Sequence, residues 1–253
     1  HLGGFGADLG REEMRHAGKE ANRYPPELVC FDAGGRRLDE VRFHPAYHRF
    51  LQTGLGAGYA AIPWEGRQGG HATHAAMVYL ASQVEPGTCC PMTMTYAAVP
   101  ALKAAPALFD AWVPKLTARM YDGAAKPLSA KTSATIGMAM TEKQGGSDVR
   151  ANTTRAVAEG DAYRLYGHKW FCSAPMSDGF LTLAQARGGL TCFLVPRWLE
   201  EGRNGIQVQR LKDKLGNMSA RVRGAWETKG RGCARSLRWC ITRGLIRPWR
   251  PQA

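Results

Sequence analysis

No stretch of this 253-residue chain approaches the roughly 18 consecutive apolar residues that cross a bilayer, so no membrane-spanning helix is expected. The opening His1-Leu2-Gly3-Gly4 has neither a basic leader nor an apolar core behind it, which predicts no secretory signal. Without an initiator methionine the chain reads as a fragment. Thiols lack order as well. The seven cysteines, at positions 30, 89, 90, 172, 192, 233 and 240, make no CxxC pair and no zinc-ligand spacing. Such irregular usage fits a reducing compartment, so a cytoplasmic protein with no metal site and no disulfide is expected.

Acidic residues are scarce, 21 against 34 Lys and Arg, for a formal net charge of +13. The excess is uneven. Residues 221–253 hold nine Lys/Arg and one acid, a net of +8 that leaves only +5 for everything before them. A basic tail is a footprint for phosphate in some proteins and a solvated end in more.

Pattern divides the chain in three. Residues 1–133 read as mainly helical. The segment 71–83 looks like a buried helix ending before Pro86-Gly87. Over 106–121, Leu108, Trp112, Leu116 and Met120 recur at spacing four, an apolar stripe on one helical face, with Pro114 predicting a kink. Pro25-Pro26 and Asp32-Ala33-Gly34-Gly35 mark turns in a long entry segment. Residues 134–220 change period: 153–158 and 163–167 flank Glu159-Gly160-Asp161, and 180–186 and 190–195 flank Arg187-Gly188-Gly189. Both read as hairpins, and 206–211 alternates as a further strand. Short strands without intervening helices predict an antiparallel barrel or sandwich. Residues 221–253 show no usable periodicity.

Two motif-like features weigh little. Gly4-Phe5-Gly6-Ala7-Asp8-Leu9-Gly10 has no strand before it and its third glycine is one residue too far for a dinucleotide fingerprint. His71 and His74 share a helical face, but no carboxylate cluster completes a metal site, so packing is the better reading. Two other stretches say more. Met140-Thr141-Glu142-Lys143-Gln144-Gly145-Gly146-Ser147-Asp148 leaves an apolar strand and enters a polar loop. Its adjacent glycines let backbone N–H groups approach an anion or a planar ring, and its hydroxyls can donate and accept. A plain hairpin loop explains the same composition. Gly167-His168-Lys169-Trp170-Phe171-Cys172-Ser173 sets an indole beside small and hydroxyl residues, where it could stack on a flat cofactor or simply join the core.

Together these stretches resemble the acyl-CoA dehydrogenase family of flavoproteins, whose middle β-domain carries a Thr-Glu…Gly-Ser-Asp loop followed by a Trp-containing segment. Pro25-Pro26-Glu27-Leu28, Gly35-Arg36-Arg37-Leu38-Asp39, Val41-Arg42-Phe43-His44-Pro45 and Leu211-Lys212-Asp213-Lys214-Leu215-Gly216-Asn217 are similar to the family's bacterial alkylation-response branch. The likeness runs in order from about residue 10 to 217.

The resemblance implies an α+β fold. An α-helical N-terminal domain (1–133) would be followed by an antiparallel β-barrel middle domain (134–220) and a basic irregular tail (221–253), with the family's C-terminal helical domain missing. It implies FAD as cofactor, with Met140, Thr141, Gly146 and Ser147 along the flavin and its phosphate chain and Trp170 and Phe171 against the ring. The family's hydroxyl near flavin N5 falls two residues beyond the Trp, which here is Cys172, with Ser173 next. The implied activity is FAD-dependent oxidation of a CH–CH group in an acyl-CoA thioester by a homo-oligomer. In the family the proton-abstracting glutamate comes from the C-terminal helical domain, so no catalytic residue is assigned. Glu142 is not that base, and this chain alone is expected to be inactive and to hold FAD weakly. The alternative reading is a protective protein of the alkylation-damage response that binds double-stranded DNA and keeps only vestigial dehydrogenase activity.

The tail carries one more expectation. Codons permitted for residues 232–246 can be chosen so that a neighbouring frame spells a helix pattern like the family's, whereas Cys233-Ala234-Arg235-Ser236-Leu237-Arg238-Trp239-Cys240 has no helical stripe. A frame change from about Gly232 is therefore expected, leaving a tail with no selected core face.

Overall fold

The computed structural model describes residues 1–160, 162–213, 218–220, 223–228 and 235–236. The expected frame change falls, apart from two strand residues, outside them. The first half is built from six helices: α1 Leu2–Gly10, α2 Glu12–Arg23, α3 Pro45–Gly56, α4 Gly70–Ser82, α5 Cys89–Leu102 and α6 Pro106–Leu116. Local chemistry sets their starts. Pro45 and Pro106 occupy first-turn positions where no N–H is needed, and Nδ1 of His44 caps α3 by accepting from the Ala46 N–H at 3.3 Å. The glycine-rich opening is simply helix α1, pinned by buried Phe5 and Leu9.

Two expectations for this half need correction. The helix at 106–121 stops at Leu116 although it runs through Pro114, and Met120 lies beyond it, 49% exposed. The helix end is satisfied there: the Thr117 N–H and hydroxyl both donate to the Val113 carbonyl, at 2.9 and 2.8 Å. The entry segment is also more than turns. Strands β1 Glu27–Phe31 and β2 Arg37–Arg42 form an antiparallel hairpin across Asp32–Arg36.

The second half is a sheet: β3 Ile136–Ala139, β4 Arg155–Glu159, β5 Ala162–Ser173, β6 Gly179–Ala186, β7 Gly189–Pro196, β10 Gln207–Arg210, β11 Arg223–Thr228 and β12 Arg235–Ser236, with a separate ribbon of β8 Trp198–Leu199 and β9 Gly202–Arg203. Both expected hairpins are present, β4–β5 and β6–β7. The sheet is mixed, however, and not antiparallel throughout. Long β5 runs antiparallel to β4 at its start and to β3 at its end. The short connection after Ser173 sends β6 back beside both, so β6 lies parallel to β3 and to β4. The observed object is an eight-stranded mixed sheet in which the pairing β5–β3–β6–β4 returns to β5. The tail also contributes, since 223–228 pairs with β5 and with β10.

Three apolar clusters hold these parts. One joins α1–α5 around Phe50, Tyr59, Met77 and Met92. A second clamps α5 and α6 onto the sheet through Leu102, Trp112, Ile136 and Leu181. Its tightest point is Gly179, where a Cβ would come within 2.6 Å of the Trp112 ring, so only glycine lets the helix sit down on β6. The third packs Ala139, Leu165, Cys172, Phe180 and Phe193. The second cluster fixes the strand from which the loop at 140–148 emerges.

Candidate functional site

The loop leaves β3 at Met140 and is tied to β5 by its backbone. The Thr141 carbonyl accepts from the N–H groups of both Trp170 (2.9 Å) and Phe171 (3.5 Å). Two consecutive donors on one acceptor mark a β-bulge, and the register of β5 against β11 slips at the same place. Without the bulge, Lys169 and Cys172, three apart, would point to opposite faces; with it both are buried, at 0% and 1% exposure. The loop also hangs from Asn152, whose Nδ2 donates to the Met140 carbonyl at 2.9 Å while its Oδ1 is buried with no partner.

Beneath the loop, Glu142 is almost fully engaged. Oε1 receives Lys169 Nζ at 2.7 Å, the Thr154 hydroxyl at 2.5 Å and the Thr154 N–H at 3.0 Å. Oε2 receives the Thr153 N–H at 2.6 Å, its hydroxyl at 2.9 Å and Gln144 Nε2 at 2.7 Å. Burial works to raise the carboxyl's pKa, but the bonds from Lys169, Thr154, Thr153 and Gln144 prevail and hold it well below the usual carboxylate range. An anion so stabilised is a poor proton acceptor at neutral pH.

The structure therefore gathers seven of the expected residues along one seam. Met140 and Thr141 are half-buried, Gly146 and Ser147 exposed, and Trp170, Phe171 and Ser173 half-buried. Among the described residues the hydroxyls of Thr141, Ser147 and Ser173 make no hydrogen bond, in contrast to the saturated Glu142. Gly146 lies against Thr141, where a Cβ would stand 2.9 Å from Cγ2 and 3.1 Å from the hydroxyl. Cys172 is the exception. It belongs to the third apolar cluster, and burial raises its thiol far above the ordinary value. The polar group available at the end of β5 is the Ser173 hydroxyl. The next residue, Ala174, is held at φ +53°, a left-handed conformation that costs a residue with a Cβ and concentrates strain beside Ser173.

Three features of the seam were not read from the sequence. Arg210 lies over the Trp170 ring at 5.0 Å, and Lys212 over Phe171 at 4.6 Å. Lys169 gave one signal: it stands four residues after Leu165, in phase with that buried side chain in an alternating strand. His71 and His74, by contrast, are packing residues. His71 Nδ1 meets the Tyr96 hydroxyl at 2.8 Å, and buried His74 meets the Tyr59 carbonyl at 2.7 Å. Among the described residues no group of three or more His, Cys, Asp or Glu side chains could hold a metal, and no helix is long and apolar enough to cross a membrane.

Mixed sheet, helical half and glycine-hydroxyl loop together define a class: the chain belongs to the acyl-CoA dehydrogenase family. Residues 137–225 match the acyl-CoA dehydrogenase middle domain. Within the family, residues 1–123 match the adaptive response protein AidB N-terminal domain. The chain is 51% identical to AidB of Escherichia coli (strain K12) over 223 residues, 86% of its own length and 41% of that protein's. It is similar to the crystal structure of Caenorhabditis elegans ACDH-11 in complex with C11-CoA, with TM-score 0.78 and 32% identity, over 90% of this chain and 40% of that one. The acyl-CoA dehydrogenase of Bacillus anthracis complexed with FAD shares the fold at TM-score 0.60 and 15% identity, covering 78% of this chain and 32% of that one. The chain thus spans about two-fifths of the length of AidB and of ACDH-11, 41% and 40%.

Proposed function

We propose that this chain carries the flavin-binding part of an acyl-CoA dehydrogenase-type oxidoreductase of the AidB branch, acting on a CH–CH group of an acyl thioester. The observation that carries the reading is the contrast along the seam: among the described residues the hydroxyls of Thr141, Ser147 and Ser173 lack partners, while the neighbouring Glu142 carboxylate, the Gln144 amide nitrogen and the Thr141 carbonyl are tied down. Residues 140–148 would hold FAD, with Thr141 and Ser147 supplying hydroxyls to the ring edge and the phosphate chain. The glycines admit close backbone approach, and Phe171 and Trp170 would pack against the ring. Ser173, rather than Cys172, would present the hydroxyl near N5. Bound there, FAD would supply the two-electron acceptor, while the protein orients it and excludes water. Support for the family's cofactor and thioester comes from the relatives named above with FAD and with C11-CoA. The proton-abstracting base is not assigned among the described residues, because Glu142, the acid nearest in sequence, is buried and saturated.

Titration of the chain with FAD, followed by quenching of flavin fluorescence, tests the reading. Weak but saturable binding is expected, and Thr141→Ala and Ser147→Ala should each weaken it by about ten-fold, the worth of one hydrogen bond to a ligand. Absence of saturable binding, or equal binding by both variants, would overturn it.

A further inference from the structure

A cavity of about 350 Å³ lies between the β1–β2 hairpin and the far end of the sheet, and shares no residue with the seam at 140–148 and 170–173. Its size falls within the range of small-molecule sites. Leu38, Met176, Ile206 and Val208 give it apolar walls. Two consecutive residues of the lining carry donors that are unsatisfied, wholly or in part, among the described residues. Nε1 of Trp198 is buried with no hydrogen-bond partner. The guanidinium of Arg197 makes a single hydrogen bond, 2.9 Å to the Met176 sulfur, and no ion pair among the described residues.

The nearby carboxylates are spoken for. Asp39 is shared by Arg37 (2.8 Å) and Arg203 (2.9 Å), Asp178 touches Lys131 at 3.0 Å, and Glu40 is paired with Arg42. Burial lowers the Arg197 pKa, and the fields of Asp178 and Glu40 offset this only in part. Two facts therefore coincide in residues that line this cavity: a half-buried guanidinium with no ion pair among the described residues, and an indole N–H with no acceptor there, while the rest of the lining mixes carbon with the charged Arg36, Arg37, Asp39, Glu40 and Arg203. Each is costly as it stands, and one anionic group would satisfy both.

We propose that this cavity binds a small amphipathic monoanion, a carboxylate whose oxygens accept from Arg197 and from the Trp198 indole while its apolar body lies against Leu38, Ile206 and Val208. Arginine suits the head group because its fork of donors matches a carboxylate's two oxygens. Leu38, Ile206 and Val208 suit a hydrocarbon body, and Arg36, Arg37 and Arg203 give the lining a positive charge that Asp39 and Glu40 offset only in part.

Calorimetric titration of the chain with octanoate tests the proposal, with octan-1-ol and inorganic phosphate as parallel arms. Saturable one-to-one binding of octanoate is expected, at least about ten-fold tighter than either control, since a hydrogen bond to a charged group is worth that or more. Arg197→Met keeps length and volume and should abolish the preference for octanoate over octanol. Trp198→Phe keeps the aromatic wall, removes only the N–H, and should weaken octanoate by about three- to ten-fold. Because Arg197 forms no ion pair among the described residues, the Arg197→Met chain should melt no lower than the unmodified one. The proposal is overturned by no octanoate binding, by equal binding of octanol, by tighter binding of phosphate, or by unchanged affinity in both variants. A lower Tm for Arg197→Met would overturn it too, by showing that the guanidinium already serves a structural partner.

Discussion

Lys169 Nζ lies 2.7 Å from Glu142 Oε1, with the two side chains 0% and 1% exposed. This pair joins the base of the 140–148 loop to the middle of β5, and the Trp170–Phe171 bulge follows directly after Lys169. It secures the loop from below while the Thr141 and Ser147 hydroxyls stay without hydrogen-bond partners among the described residues. A buried pair of this kind adds little net stability over a carbon-filled equivalent, yet breaking it strands a charge. Its value here is geometric: it fixes where Thr141 lies relative to β5.

Removing one partner should therefore be severe and removing both much less so. Glu142→Gln and Lys169→Met are each expected to cost about 3–5 kcal/mol in urea unfolding. The double variant should cost clearly less than the two together, because neither charge is then left alone. Additive losses would show that the pair is not coupled.

Acid should weaken the protein through the same residue. The Glu142 carboxyl is held below its ordinary range in the folded state, so its contribution is present above the unfolded glutamate pKa of about 4.3 and is lost as pH falls toward the folded value. Unfolding free energy should drop from pH ~5 downward in the unmodified chain, and less steeply in Glu142→Gln. Parallel slopes in urea titrations across that window would contradict this account.

How much of this was legible beforehand depends on how local the signal is. The β4–β5 and β6–β7 hairpins were readable because short alternating runs flank glycine-containing turns, as at Glu159–Asp161. The β1–β2 hairpin was not: its strands are half-exposed and charged, as in Arg37-Leu38-Asp39-Glu40-Val41-Arg42, which leaves no clear apolar alternation. Parallel pairing of β3 with β6 joins Ile136 to Gly179, far apart in sequence, and no local pattern encodes it. In the seam, the loop and the Trp170 segment were visible as motifs. The burial of Cys172 is the ordinary behaviour of a free thiol in a strand, whereas the one-residue bulge that turns it inward, reversing the side-chain alternation, leaves no local signal.

Cysteine chemistry should follow that burial. Cys90 is exposed, whereas Cys172 is buried with its thiol raised, and burial pushes the Cys89 thiol up to about 11. Brief labelling of the native chain with iodoacetamide at pH 8, read by peptide mass spectrometry, should modify Cys90 and spare Cys89 and Cys172. Prompt alkylation of Cys172 would place its sulfur at the surface and restore it as a flavin contact.

Ser173→Ala and Cys172→Ala separate the two residues in function. The serine variant should keep its Tm within the small range of a half-exposed change and weaken FAD by about ten-fold. Cys172→Ala should bind FAD as before and lose about 1 kcal/mol of stability from the core. The reverse pattern in paired FAD titrations and thermal melts would assign the cofactor contact to the thiol.

Two glycines on either side of Thr141 should respond differently to the same added methyl group. At Gly146 the Cβ would meet the Thr141 side chain, at 2.9 Å from Cγ2, and that side chain can rotate away. At Gly137 it would stand 2.4 Å from the Ser173 carbonyl oxygen and 2.8 Å from Cδ1 of Phe180, a backbone atom and a core ring. Neither can yield without disturbing the Met138–Ser173 pairing that joins β3 to β5. Gly137→Ala is therefore expected to cost about 1–3 kcal/mol and to weaken FAD as well, since β3 carries Met140 and Thr141 into the loop. Gly146→Ala should leave stability within about 0.5 kcal/mol, as a surface change does, and act on FAD binding alone. Equal destabilisation by the two substitutions in urea unfolding would mean that the loop, and not the strand beneath it, bears the packing constraint.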